Sequence, residues 1–303
     1  MTIMERESHL TAYLRDRKAL IDEALDRLLP GAENEPQVIF KAIRYSLFAG
    51  GKRIRPILCV AAAEAVGGAV DLVIPVACAL ECIHTYSLIH DDLPAMDNDD
   101  FRRGRPTSHK VFGENMAILA GDALLTEAFS ILSDSDRQPG VDPSRLLLVI
   151  RDVARAAGIW GMIGGQVMDV QSEGKAVGMD VLYDMHARKT GAMIRVSVTA
   201  GALLAGAGDR QMAALADYGT RVGLAFQIAD DILNVSGNSR LMGKNTGSDV
   251  YRGKVTFPAH MGIEGSRKKL GELVDQAIDD LAAFDDKADP LRLLAKFIME
   301  REL

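Results

Sequence analysis

Apolar residues recur at helical spacing from the start of the chain. Leu10, Leu14, Ile21, Leu25 and Leu28 share one helix face, and Pro30-Gly31 then stops the run. The same period predicts further helices at 37–48, 54–66, 70–93, 115–133, 143–172, 178–206, 209–235, 255–262, 265–284 and 288–300. No convincing succession of alternating strands and hairpin turns is found. The pattern therefore reads as all-α. Prolines agree: none of the ten lies between Pro143 and Pro258, a stretch rich in Ala, Leu, Met and Val. No linker or low-complexity tract interrupts residues 1–303, which are expected to form a single domain. The segment from Asn238 to Lys254 is polar, carries three glycines and is expected to be a mobile loop. Gly161 to Gln166 (GMIGGQ) is glycine-rich within a helical pattern. Each such glycine costs about 1 kcal/mol relative to alanine, so close approach of a neighbouring helix or ligand is expected there.

Composition narrows the class. With 303 residues and 48% hydrophobic content, the chain can bury a large core. No apolar run long enough to span a bilayer is evident, so no membrane partner is expected. The first residues are charged and lack an apolar signal core, which predicts no export and a cytoplasmic protein. Cys59, Cys78 and Cys82 are too few for a disulfide framework and read as core residues in a reducing compartment. The net charge of −7 argues against bulk nucleic-acid binding. Any site for an anionic substrate must be local, built from clustered cations or from carboxylates that recruit a metal.

Two Asp-Asp pairs stand in apolar helical contexts. Asp91 and Asp92 end the run CALECIHTYSLIH and precede LPAMDNDDFRRGRP. Carboxylates at the end of a buried helix are costly unless solvated, paired or metal-bound. On a straight helix Asp97 would lie about 240° round from Asp91. Pro94 breaks the ladder and lets Asp97 return beside Asp91. Arg102 and Arg103 follow. In FQIADDILN, Gln227, Asp230, Asp231 and Asn234 form one polar stripe on an otherwise apolar helix. Each cluster alone is compatible with a solvated helix end; together, with basic residues nearby, they point to a metal. Oxygen donors without His or Cys suit Mg²⁺ rather than zinc. The basic residues are Lys52, Arg53 and Arg55 beside Gly50-Gly51, Lys189 before Thr190, and Lys244 and Lys254 in or beside the polar loop. His84 stands two turns before Asp91, on the same helix face.

GGKRIRP, IHTYSLIHDDLPAMDNDDFRRGRPT, GGQVMD, RKTGAM, FQIADDILN and GKNTGSD…GK follow one another in order. This set resembles the trans-prenyl diphosphate synthases, in the bacterial farnesyl and geranylgeranyl diphosphate synthase branch, over nearly the whole chain. The resemblance implies a bundle of roughly ten or more helices around a central cavity. It implies condensation of isopentenyl diphosphate with dimethylallyl or geranyl diphosphate. It makes Asp91, Asp92, Asp97 and Asp230 ligands of three Mg²⁺ ions, with Asp231, Asn234 and Asp169 behind them and Gln166 beside Asp169. It assigns Arg102, Lys189 and Lys254 to the allylic diphosphate, with Lys244 after the second motif. It assigns Lys52, Arg55, His84 and Arg103 to isopentenyl diphosphate. The Lys189 carbonyl, Thr190 and Gln227 would turn oxygen dipoles toward an allylic cation. A homodimer is also implied.

Asn234 departs from the family's usual Asp; it keeps a carbonyl acceptor and loses the charge. Product length is expected to depend on Tyr86 and Ser87, which precede the first motif. A bulky Tyr86 predicts a farnesyl (C15) product, with geranylgeranyl (C20) as the alternative. Three other readings are weaker. A terpene cyclase would lack Lys52, Arg55 and His84. Glu81-x-x-His84 has di-iron spacing, but such a site needs a second E-x-x-H and none is found. A catalytically silent partner subunit would usually have lost aspartates, and both pairs are intact.

Overall fold

The computed structural model describes residues 3–138, 140–236 and 255–300. Lys244, Lys254 and the expected loop from Asn238 lie outside the described residues. The helices are α1 (Ile3–Leu28), α2 (Gln37–Leu47), α3 (Ile54–Val66), α4 (Ile74–Asp91), α5 (Ser108–Phe112), α6 (Glu114–Ser133) and α7 (Pro143–Ala157). They continue as α8 (Met162–Ser172), α9 (Met179–His186), α10 (Ala192–Leu204), α11 (Asp209–Ser236), α12 (Phe257–Asp280) and α13 (Asp289–Glu300). The expected all-α class stands.

Two apolar layers share α3. One gathers α1, α2, α4, α6 and α7 around Cys59, Val60, Leu80, Ile83 and Leu124. The other gathers α10, α11, α12 and α13 around Ile57, Leu58, Tyr218, Val222 and Phe257. Successive residues of α3 therefore face different layers, and the helix is apolar on almost every side, as a central helix must be. Gly201 lets α10 close onto it, because a Cβ there would collide with the Cys59 carbonyl. All three cysteines are buried and free.

Several expected boundaries move for identifiable reasons. The helix expected over 143–172 is two, separated around Gly158 and Gly161, both non-helical. The helix expected over 178–206 is interrupted by a π-helical turn at Ala187–Gly191. The two helices expected at 255–262 and 265–284 form one, α12, kinked where Gly262 takes φ 74°. A short antiparallel hairpin, β1 (Phe101–Arg102) with β2 (Arg105–Pro106), was not expected. Its turn residues, Arg103 and Gly104, have φ 54° and 75°, as a two-residue hairpin turn requires.

The expectation that no run is long and apolar enough to span a bilayer fails for one helix among the described residues. Helix α6 is long and apolar enough to cross a bilayer by length and composition. It packs against α4, α2 and α5 through one face and leaves Ile118 and Leu119 exposed on another.

Candidate active site

A cavity of about 1420 Å³ opens between the Gly50–Arg55 segment, α4, α6, α8, the π turn and α11. Asp91, Asp97 and Asp230 all line it. Helix α4 ends at Asp91, and the chain reverses over the next six residues. The Asp97 N–H donates to the Asp91 carbonyl at 2.8 Å, and the Met96 and Asn98 N–H groups both donate to that of Leu93. Asn98 takes φ 50° to complete the reversal. Asp97 thus returns beside Asp91, as the proline predicts.

Asp92 is not among the residues lining this cavity. It sits about 100° round the helix from Asp91, is 3% exposed, and borders a smaller recess with Thr85, Ile89 and Arg105. Arg102 clasps it, with Nε 2.8–2.9 Å from both carboxylate oxygens and Nη2 2.6 Å from Oδ1. In this structure Asp92, expected as a metal ligand, is an ion-pair partner of Arg102. Burial alone would lower the Arg102 pKa; the hydrogen bonds and charge of Asp92 outweigh it and raise it.

The expected stripe on α11 also splits. Gln227 and Asp230 line the cavity, whereas Asp231 and Asn234 are buried away from it. Asp231 Oδ2 accepts the Phe257 N–H at 2.9 Å and so caps the start of α12. Phe257 is stacked on His186, whose Nε2 is 3.8 Å from Asp231. Burial holds the His186 pKa down at about 4, despite the charge of Asp169.

Glycine contacts set the π turn. A Cβ on Gly165 would collide with the Lys189 backbone, and one on Gly223 would lie 2.7 Å from the Gly191 Cα. Helices α8 and α11 can therefore press on the turn from two sides. That is the close approach expected for GMIGGQ. Lys189 and Thr190 line the cavity there. Lys189 Nζ donates to Asp169 Oδ2 and Thr190 Oγ1 to Gln227 Oε1, both at 2.5 Å. Gln166 lines the cavity; Asp169 acts behind it through Lys189.

Lys52, Arg55, His84 and Arg103 line the same cavity. Gly50 and Gly51 take φ 95° and 118°, open only to glycine at low cost. A Cβ on Gly51 would strike the Arg103 guanidinium, which donates to the Gly50 carbonyl. Arg55 is driven below its ordinary pKa by burial, with Glu81 and Asp230 opposing. His84 is held well below 6.5 by burial and by Arg55 and Arg103, so its ring is neutral near pH 7. Sequence reasoning counted Arg53 only as one more cation and missed its structural role. It is buried and bonds Asp22, Glu81 and the Leu47 carbonyl at 2.7–2.8 Å.

The remaining wall is largely apolar: Tyr86, Leu125, Met162, Ile163 and Val167, with Ser87 and His90. Tyr86 is buried, its pKa is raised to about 12 by burial and Asp91, and its ring stands edge-on to His90. Among the described residues, no three His, Cys, Asp or Glu side chains converge as a ready-made metal site. Asp91, Asp97 and Asp230 instead spread oxygen donors along the cavity. That donor set fits Mg²⁺, which keeps water and phosphate in its shell and needs no all-protein cage.

Residues 36–289 match the polyprenyl synthetase family model. The chain belongs to the polyprenyl synthetase family. Members are prenyltransferases that elongate isoprenyl diphosphates, and this chain is a trans-prenyl chain-elongating enzyme of that kind. It is 44% identical over 302 residues to a geranylgeranyl diphosphate synthase of Cyanophora paradoxa, covering 99% of both chains. It is 45% identical over 290 residues to a farnesyl diphosphate synthase of Geobacillus stearothermophilus, covering 96% of this chain and 97% of the relative. Among solved structures, an FPP/GFPP synthase from Zymomonas mobilis superposes with a TM-score of 0.85 at 37% identity. That match covers 98% of this chain and 100% of the other. The family's helical frame thus accounts for the polyprenyl synthetase cavity described above.

Proposed function

We propose that the chain condenses isopentenyl diphosphate with dimethylallyl or geranyl diphosphate and releases mainly farnesyl diphosphate. One observation carries the reading. Asp91, Asp97 and Asp230 and a separate group of cations line one cavity whose remaining wall is largely apolar. Lys52, Arg55 and Arg103, with the neutral His84, hold the diphosphate of isopentenyl diphosphate. Arg102 and Lys189 hold that of the allylic substrate. Bound Mg²⁺, carried by Asp91, Asp97 and Asp230 with phosphate and water, would neutralise charge on the leaving diphosphate.

The allylic C–O bond breaks heterolytically and its electron pair leaves with diphosphate. The Thr190 hydroxyl, the Gln227 carbonyl and the Lys189 backbone carbonyl turn negative dipoles toward the cation. The double bond of isopentenyl diphosphate then forms the new C–C bond, and a proton is lost to the departing diphosphate. Leu125, Met162, Ile163 and Val167 keep water from quenching the cation. The relatives' names span farnesyl and geranylgeranyl products. The Tyr86 ring in the cavity wall favours the shorter one.

The apolar residues exposed on α6, α7 and the turn after it support a homodimer. They include Leu147, Ile159 and Trp160, the last two 70% and 65% exposed. Buried free thiols suit a cytoplasmic protein. The decisive assay combines protein, Mg²⁺, isopentenyl diphosphate and each starter, with dephosphorylated products sized by gas chromatography–mass spectrometry. EDTA-sensitive farnesol is expected. Geranylgeraniol would overturn the length argument, and no condensation with any starter would overturn the activity.

A further inference from the structure

Among the described residues, Glu81 is the one buried acid in the cavity wall that the chemistry above does not use. It is 1% exposed and lines the cavity with Lys52, Arg55, His84 and Arg103. One oxygen accepts from Arg53 Nη1 at 2.7 Å. The other is buried without a hydrogen-bond partner, as is Nε of Arg55. Arg53 stands in the left-handed region, immediately before α3. Its bonds to Asp22, Glu81 and the Leu47 carbonyl hold that strained backbone and therefore the start of the helix that presents Arg55. Glu81 is also the principal negative charge acting on both Arg55 and Arg103.

Three guanidiniums gathered in a desolvated wall repel one another, and a buried cation without a counter-charge is destabilised and rearranges. We infer that Glu81 is a positioning residue: a resident counter-charge that keeps Arg53, Arg55 and Arg103 assembled as an anion site before the anion arrives. Glu81 and Asp22 among three arginines and Lys52 still leave the site positive, so the diphosphate is still attracted. The unpartnered oxygen is explained on the same terms, since the carboxylate acts on Arg55 and Arg103 through its charge without a direct bond. The E-x-x-H spacing is then a coincidence of two groups serving one anion site.

This inference rests on the proposed assignment of these cations to the diphosphate of isopentenyl diphosphate. Its test separates the two. Pyrophosphate binding is measured by calorimetry in EDTA, so that the carboxylates cannot contribute through metal, for the wild type and for Glu81→Gln. The glutamine keeps the shape and the acceptor for Arg53 and removes the charge. About tenfold weaker pyrophosphate binding is expected, and in turnover a similar rise in KM for isopentenyl diphosphate with KM for geranyl diphosphate unchanged. Equal or tighter pyrophosphate binding by Glu81→Gln would overturn the inference, as would an equal rise in both KM values. Should Glu81→Gln melt early, Glu81→Asp restores the charge and is expected to recover pyrophosphate binding; failure to recover it also overturns the inference. Absence of pyrophosphate binding by the wild type would overturn the diphosphate assignment and the inference with it, whatever the turnover assay shows.

Discussion

Replacing Asp92 with Asn separates a ligand from a strut. In the structure Asp92 meets the Arg102 guanidinium through three contacts of 2.6–2.9 Å. The two side chains are 5% and 18% exposed. Breaking a buried ion pair from one side costs about 3–5 kcal/mol, because the other charge is left uncompensated. Arg102 borders the cavity and regains some water, which puts the cost near the lower end, about 3 kcal/mol. At about 2 °C per kcal/mol for a chain of this size, the melting temperature should fall by about 6 °C. Magnesium dependence should change little, since Asp92 lies outside the cavity lining. Asp91→Asn should behave the opposite way, with a small change in melting and a large rise in the magnesium concentration for half-maximal turnover. Circular-dichroism melting and magnesium titration of turnover on both variants decide it. An unchanged melting temperature for Asp92→Asn, with magnesium demand raised as far as in Asp91→Asn, would refute the reasoning.

Other outcomes follow from the same geometry. Tyr86→Ala removes the ring from the cavity wall and should shift product from C15 toward C20; an unchanged product spectrum would mean that the floor lies elsewhere. Gly165→Ala forces α8 away from the Lys189 backbone and should lower turnover at least tenfold by displacing Lys189 and Thr190, measured at saturating substrates. Asp230→Ala should reduce condensation by orders of magnitude, and near-normal turnover would contradict its place in the site. His186 has a folded-state pKa of about 4 against 6.5, so the unfolded chain binds its proton first. Its contribution is intact above pH 6.5 and is lost as pH falls toward 4, by up to about 3 kcal/mol. Urea denaturation from pH 7 to 4.5 should show that slope flattened in His186→Phe.

Much of the frame was legible because long amphipathic and apolar helices carry their period in the sequence. What was not legible depends on tertiary contacts. The break between α7 and α8 and the π turn lie in stretches whose apolar pattern runs on without interruption. Glycine contacts with Lys189 and Gly191 accompany the π turn, and the break falls at the non-helical Gly158 and Gly161. The hairpin at Phe101–Pro106 is too short for an alternating pattern, although Arg-Gly at its centre fits the turn. Arg53 looked like one more cation beside Lys52 and Arg55. Only the fold reveals that Asp22, Glu81 and the Leu47 carbonyl take up its donors.

The two Asp-Asp pairs show why the site residues could be chosen but not sorted. Neighbours on a helix point about 100° apart, so two adjacent carboxylates cannot both face one cavity squarely. In each pair the first lines the cavity and the second secures the chain that follows. Asp91 faces the cavity while Asp92 clasps Arg102 of the hairpin. Asp230 faces it while Asp231 accepts the first N–H of α12. The segment after each pair is thereby tied to the helix end that presents the first aspartate. A substitution at the second position should therefore disturb the site through the backbone, and an acceptor of similar shape should restore more function there than at the first. Asp231→Asn keeps an oxygen for the Phe257 N–H and is expected to retain far more turnover than Asp231→Leu. At position 230, by contrast, Asn should recover little over Ala, because that site uses charge. Equal losses for Asn and Leu at position 231 would mean that its charge, and not its hydrogen bond, is what the enzyme needs.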